Sequence, residues 1–246
     1  MKNLISSSTF LLMILLNLVS CQSDLIQENG QSELKTKSKS FSIHIIYEGK
    51  DYHSQGKLLS DSLVIENQEL NSLIDSIFKK NKEVQTYIHP DGTIEYFDNK
   101  EKFQAKYPLE EVELDSINKM DTIKTKSNYY DQFDGYAQMY ENIGLQGIMQ
   151  DAVNLYNRVP QKFTIDHSLF QKISSIGVYC NSDVPGVKSV LECYDQTSWK
   201  GNCLIVSGYI QVLYDLNIIP CQKGTWNDRI SSVKFSVKVY NYFPPN

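Results

Sequence analysis

Asn227-Asp228-Arg229-Ile230-Ser231-Ser232 gathers oxygen donors into a short span: the side chains of Asn227, Asp228 and Ser231, and the backbone carbonyl of Arg229. Hard cations such as calcium take about 6–8 oxygen ligands at ~2.3–2.6 Å, drawn from such mixed groups. Asn-Asp followed by Ser-Ser is also ordinary turn chemistry, so the hexapeptide alone fits a solvated turn equally well. The rest of the chain carries little else that could react. His44, His53, His89 and His167 form no His-Glu-x-x-His pattern, and each reads as a solvated or hydrogen-bonded structural residue. There is no Gly-x-Ser-x-Gly elbow and no glycine-rich phosphate loop, so the chain is expected not to be an enzyme.

The elements around the hexapeptide would have to position it. Downstream, Val233, Phe235, Val237 and Val239 alternate with polar residues, the period of a half-buried strand. Upstream, Tyr194-Asp195-Gln196-Thr197-Ser198-Trp199-Lys200-Gly201 sets two aromatics and a glycine at spacings that suit a tight folded hairpin. The glycine is there because positive φ excludes most side chains. The unit occurs twice. Tyr140-Glu141-Asn142-Ile143-Gly144-Leu145-Gln146-Gly147 repeats the Tyr-to-Gly spacing, with Leu145 in place of the second aromatic. Ile173-Ser174-Ser175 repeats Ile230-Ser231-Ser232. The separations, 54 residues from Tyr140 to Tyr194 and 57 from Ser174 to Ser231, describe one supersecondary unit used twice.

These two hairpins, each leading to an Ile-Ser-Ser strand, resemble the paired Greek keys of βγ-crystallin domains. Asn-Asp-Arg-Ile-Ser-Ser is similar to that family's calcium-binding signature. The resemblance covers residues 135–242, under half the chain. It implies a β-sandwich of two four-stranded Greek keys whose loops, from both motifs, share each calcium ion. Carried over by position, the ligand set is Asn227, Asp228, Arg229 and Ser231, with Gln171 and a backbone carbonyl near Glu141 or Asp195 completing the shell. The first motif departs from the pattern. Phe170 and Gln171 stand where the second has Asn227 and Asp228, and Lys172, matching Arg229, brings a positive charge. Residues 152–170 also lengthen the first key beyond the family norm. The expectation is one calcium ion per chain, bound in the weak extracellular range of about 10⁻⁴–10⁻³ M.

Residues 1–20 read as an export signal, with Lys2 ahead of an apolar run from Phe10 to Val19 that is too short to span a bilayer. Leu18-Val19-Ser20-Cys21 resembles the lipobox of bacterial lipoproteins, which would make Cys21 the acylated N-terminus; an ordinary secretory signal cut nearby is the alternative. Acyl chains contribute about 0.8 kcal/mol per buried CH₂, enough to hold the chain on a membrane. The expected location is the bacterial cell envelope, at the outer membrane or cell surface. Residues 21–40 are polar and read as a flexible tether. The net charge of −5 and the pI near 5.4 provide no basic face for nucleic acid.

Residues 41–108 read as a separate small α+β module: a strand at Phe41–Tyr47, a turn at Glu48–Asp51, and a second strand at Leu63–Ile65. A helix follows over Gln68–Lys80, capped by Asn67, and then a hairpin turning at His89-Pro90-Asp91-Gly92 and a short helix over Asn99–Lys106. Residues 109–133 read as a linker, and residues 134–246 as the βγ-crystallin-like domain.

Beyond Cys21 the cysteines are Cys180, Cys193, Cys203 and Cys221, an even number in an exported chain. That favours two disulfides, with Cys180–Cys193 and Cys203–Cys221 preferred among the possible pairings because each joins segments near in sequence. The functional expectation is a non-enzymatic structural or adhesive lipoprotein that binds calcium and a protein or glycan partner. A protease inhibitor on the same Greek-key fold, with its loop in the Cys193-to-Cys221 region, is the alternative.

Overall fold

Alternating β-branched and aromatic residues drive most of the described residues into strands, and the fold is mainly β with two α-helices among them. The computed structural model describes residues 39–59, 62–111, 133–155, 161–181, 186–222 and 224–240. The expected leader, Cys21, nearly all of the tether and residues 112–132 of the expected linker lie outside them. Among the described residues no helix is long and apolar enough to cross a membrane.

The first half contains β1 (Lys39–Tyr47), β2 (Lys50–Leu59), β3 (Ser62–Ile65), α1 (Gln68–Lys80), β4 (Gln85–Ile88), β5 (Ile94–Phe97), α2 (Lys100–Lys106) and β6 (Leu109–Glu111). Helix α1 begins where the sequence predicts, with Asn67 Oδ1 accepting from Leu70 N at 3.0 Å and Leu70, Ile74, Ile77 and Phe78 buried along one face. The second half contains β7 (Phe133–Asn142), β8 (Gln146–Leu155), β9 (Gln161–Thr164), β10 (Ser175–Cys180), β11 (Val187–Tyr194), β12 (Cys203–Gly208) and β13 (Ile210–Leu213). A 3₁₀ turn (Leu216–Ile218), the short pair β14 (Pro220–Cys221) and β15 (Gly224–Thr225), and β16 (Ser232–Tyr240) complete it.

The repeat in sequence is a repeat in topology. β7 and β8 form a hairpin, β10 returns beside β7, and β9 crosses to the other sheet to pair with β16. β11 and β12 form the matching hairpin, β16 returns beside β11, and β13 crosses to pair with β10. Each array, β8-β7-β10-β13 and β12-β11-β16-β9, therefore takes three strands from one repeat and one from the other.

The first half is not a separate module. β4 pairs in parallel with β12, from Cys203 opposite Gln85 to Val206 opposite Ile88, so one sheet runs β3-β2-β1-β5-β4-β12-β11-β16 with β6 and β9 both on β16. Lys37–Asn246 is accordingly one compact unit, and the expected boundary between residues 41–108 and 134–246 does not divide it. Leu109–Glu111, expected in the linker, is a strand that extends the same sheet. One hydrophobic core joins both halves, with Ile45, Ile74 and Tyr96 from the first and Met139, Ile176, Phe235 and Trp226 from the second. The Tyr96 hydroxyl donates to Pro220 O at 2.7 Å across that junction.

β16 corrects the expectation of a half-buried strand. Val233, Phe235 and Val237 face the core as the pattern predicts, but Ser232, Ser236 and Lys238 on the other face are buried too. That face belongs to the side of the sheet on which Tyr87, Phe97, Phe103 of α2, Val190 and Tyr194 form a second apolar cluster. Lys234 and Lys238 there lie 3.7 and 3.8 Å from the buried carboxylate of Glu192.

Cys180, Cys193, Cys203 and Cys221 are buried thiols not joined in disulfides, contrary to the expected pairings. Cys180 Sγ lies 3.8 Å from Val187 O, and from Val187 the strand runs about 20 Å to Cys193 at ~3.3 Å per residue. A disulfide needs Cα atoms within ~7 Å, so Cys180 and Cys193 cannot meet. Cys203 packs in the outer aromatic cluster and Cys221 in the main core, on opposite sides of the sheet. Burial pushes the Cys221 thiol up to about 12 and raises those of Cys193 and Cys203 as well, which disfavours the reactive thiolate at all three.

Candidate functional site

The two hairpins share one backbone conformation. Gly144, Leu145 and Gly147 in the first and Ser198, Trp199 and Gly201 in the second all have positive φ at matching positions. A Cβ on Gly147 would stand 2.5 Å from Asn142 Nδ2, and one on Gly201 would stand 2.2 Å from Asp195 Oδ1, so both the conformation and the space demand glycine. The second serine of each Ile-Ser-Ser then locks its hairpin. Ser175 Oγ donates to Asn142 O (2.6 Å) and accepts from Leu145 N (3.0 Å); Ser232 Oγ donates to Gln196 O (2.7 Å) and accepts from Trp199 N (3.1 Å). Both hydroxyls are buried, so these bonds replace water and fix the fold of each turn.

The loops preceding the two serines clamp each other. Gln171 and Asp228, at the second position of each hexapeptide, share a left-handed backbone with φ of 54° and 56°. Gln171 N donates to Ile230 O, and Asp228 N donates to Ile173 O, both at 3.2 Å. This reciprocal exchange sets Gln171 against the second repeat's Ile-Ser-Ser and Asp228 against the first's. Ile173 and Ile230 are fully buried beneath the crossing and hold it against the core.

The expected ligand residues therefore fall into two sets. In the second repeat, Ser231 N donates to Tyr194 O at 2.8 Å, which brings the serine beside Asp195. Ser231 Oγ lies 3.2 Å from Asp195 O and 3.4 Å from Arg229 O, a hydrogen bond shared between two carbonyls. Two oxygens bound ~2.4 Å from one calcium ion and ~80–90° apart would themselves be ~3.1–3.4 Å apart, the spacing that Ser231 Oγ has from each of the two carbonyls. Gln171 stands across from them. In the first repeat, Ser174 N donates to Tyr140 O at 2.9 Å, which brings Ser174 beside Glu141, and Asp228 stands across from that pair. Glu141 falls where the β7–β8 register shifts, between the pairs made by Tyr140 and Asn142. Glu141 thus belongs with Ser174 and Lys172, away from Arg229 and Ser231.

The carboxylate of Asp195 is occupied by Asn202, accepting from its backbone N (2.9 Å) and its Nδ2 (2.7 Å). Burial raises the pKa of that carboxyl, and the bonds from Asn202 only partly counter it. Asn202 Oδ1 in turn accepts from Val84 N at 3.2 Å, so this hairpin is tied to the start of β4. Arg229 Nη2 donates to Gln222 O at 2.8 Å, holding the guanidinium on the chain ahead of β15. Asn227 Nδ2 donates to Asp228 Oδ2 at 2.8 Å, while Asn227 Oδ1 is buried without a hydrogen-bond partner. An unsatisfied buried acceptor is one oxygen that a cation could engage. The donor set fits calcium in kind, with every atom a hard oxygen.

One cluster escapes the sequence reading. His44, Asp51 and His53 meet on the β1–β2 hairpin, each with a ligand atom within 4.8 Å of the others. The turn expected at Glu48–Asp51 is tighter, Glu48-Gly49, with β2 starting at Lys50. A hairpin centred there pairs residue 44 with residue 53, and that symmetry was the available signal.

No protein-family model, curated protein or solved structure matches the chain.

Proposed function

We propose that the crossed loops bind calcium, in a non-enzymatic structural or adhesive protein of the bacterial cell envelope whose second half is a βγ-crystallin-type domain of two interlocked Greek keys. The reciprocal exchange between Gln171 and Ile230 and between Asp228 and Ile173 carries this reading. It brings loops of both repeats to the same oxygen sets, as the resemblance implies. The exchange of β9 and β13 between the sheets supports it further. Asp195 O, Arg229 O and Ser231 Oγ would supply oxygens from one repeat and Gln171 an amide oxygen from the other. That set has no carboxylate of its own, since Asp195's is held by Asn202, so affinity should be weak, about 10⁻⁴–10⁻³ M. A bound ion would replace the shared Ser231 hydrogen bond and tie the two loops together, stabilising the fold in proportion to ln[Ca²⁺] above Kd. The protein is expected to be held at the membrane through Cys21. The alternative is a protease inhibitor on the same Greek-key fold, with its loop in the Cys193-to-Cys221 region.

Calorimetric titration with calcium tests the reading. One ion per chain is expected, with binding reduced in Ser231→Ala or in Asp228→Ala according to which oxygen set holds it. No heat of binding in the wild type, or titrations unchanged in both variants, would reject it.

A further inference from the structure

We propose that His44, Asp51 and His53 form a second cation site, for a divalent transition-metal ion of the zinc class, on the outer face of the β1–β2 hairpin. The register places them. His44 is directly opposite His53 and Ile46 opposite Asp51, so the three side chains lie on one face of the hairpin, while Ile43 and Ile45 on the other face are buried in the core. The two imidazoles stack with centroids 4.2 Å apart and planes inclined by 20°, and Asp51 Oδ1 lies 2.8 Å from His44 Nε2. Neighbouring ligand atoms of a tetrahedral zinc site are ~3.3–3.5 Å apart, given Zn–N and Zn–O of ~2.0–2.1 Å. Closing the widest gap from 4.8 Å needs only side-chain rotation, and Asp51 and His53 are exposed and able to rotate.

His44 is already oriented for the role. Its Nδ1 lies 2.9 Å from Thr93 Oγ1, and Thr93 N donates to Asp91 Oδ1 at 2.9 Å, which fixes the turn that carries the hydroxyl. In one tautomer Nε2–H donates to Asp51 and Thr93 donates to Nδ1; in the other Nδ1–H is given to Thr93 and the Nε2 lone pair, on the Asp51 side, is free to take a cation. Two imidazoles and one carboxylate suit zinc, copper or nickel. They do not suit calcium, which takes oxygens, so this site is chemically distinct from the crossed loops. Three protein ligands leave a coordination position open to a cavity of about 570 Å³ walled by Ser42, Gln55, Asp91 and Thr93, where water or an exchangeable oxygen ligand would complete the shell.

Zinc competition against a chromogenic chelator, with the full chain in detergent, tests the proposal, and cobalt substitution reports the ligands. One zinc per chain is expected, with loss of binding in His53→Gln and in Asp51→Asn and about 10–100-fold weakening in Thr93→Val. Cobalt should show visible d–d absorption without a thiolate charge-transfer band. Excess calcium and the Asp228→Ala substitution should leave zinc affinity unchanged. A wild type that takes up no zinc would overturn the site, as would unaltered uptake in His53→Gln or uptake abolished by thiol alkylation.

Discussion

The two hexapeptide loops, Phe170–Ser175 and Asn227–Ser232, have one backbone and two chemistries. Both carry a left-handed second residue, a fully buried isoleucine and a serine that locks its hairpin, and each donates one backbone hydrogen bond to the other. They differ at the first three positions, where Phe-Gln-Lys faces Asn-Asp-Arg. Backbone geometry in such a loop is therefore set by the buried isoleucine, the serines and the partner loop. Ligand quality is set separately, by the first three residues of each loop, which are exposed or half-buried. A repeat can keep its shape while its capacity for a cation changes.

The largest effects should test the shared scaffold. Ile173→Ala and Ile230→Ala each remove a fully buried side chain beneath the crossing, and each should destabilise by about 2–5 kcal/mol. Chemical denaturation should give similar losses in the two variants, and a large loss in only one would break the symmetry argument. Calcium comes next. At ~100 Kd of free ion the wild type should gain about 2.7 kcal/mol by linkage, read as a rise in Tm. Ser231→Ala should reduce that gain, whereas Gln171→Asp should tighten binding by adding a carboxylate across from Ser231. A calcium shift equal in wild type and both variants would place the ion elsewhere.

The locking serines follow. Ser175→Ala and Ser232→Ala each leave a hairpin carbonyl and N–H without their partner, at a cost of about 1–3 kcal/mol. Equal losses would show that both hairpins depend on this device, and a negligible loss in one would show that its turn is held by its own residues. The smallest effect concerns the thiols. Three of the four lie in the second repeat, so a disulfide there would make that repeat alone sensitive to reductant. No change in Tm with reductant is expected, and four thiols should become alkylatable only on unfolding.

A different contrast separates the first half from the second. Helix α1 and the β4–β5 hairpin were readable from a capping asparagine, helical spacing and the Pro-Asp-Gly turn, because these signals are local. Joining that half to the second could not be read. The parallel pairing of β4 with β12 unites residues over a hundred positions apart, and the strands' apolar runs do not encode a partner. β2 was missed because Lys50 to Leu59 is largely polar, and it is a strand chiefly because β1 and β3 pair with it on either side. The His44, Asp51 and His53 cluster was hidden for the same reason.

The disulfide expectation failed where counting replaced geometry. An even number of cysteines says nothing about which side of a sheet each one faces. Period two sends Cys203 to the outer cluster, while Cys221 lies in the core on the other side.

The sequence by itself determined the repeat, the glycine that closes each hairpin, the recurring Ile-Ser-Ser segments and the candidate oxygen donors. Each of these is a local constraint: a backbone conformation, a hydroxyl or a carbonyl that particular residue types supply. Tertiary structure alone decided that Glu141 belongs with Ser174 and Asp195 with Ser231, and that each loop faces the other repeat's serine. It also decided that the carboxylate of Asp195 is held by Asn202. Those outcomes depend on which strands exchange between sheets and which groups become buried together, and both are settled by packing of the whole core.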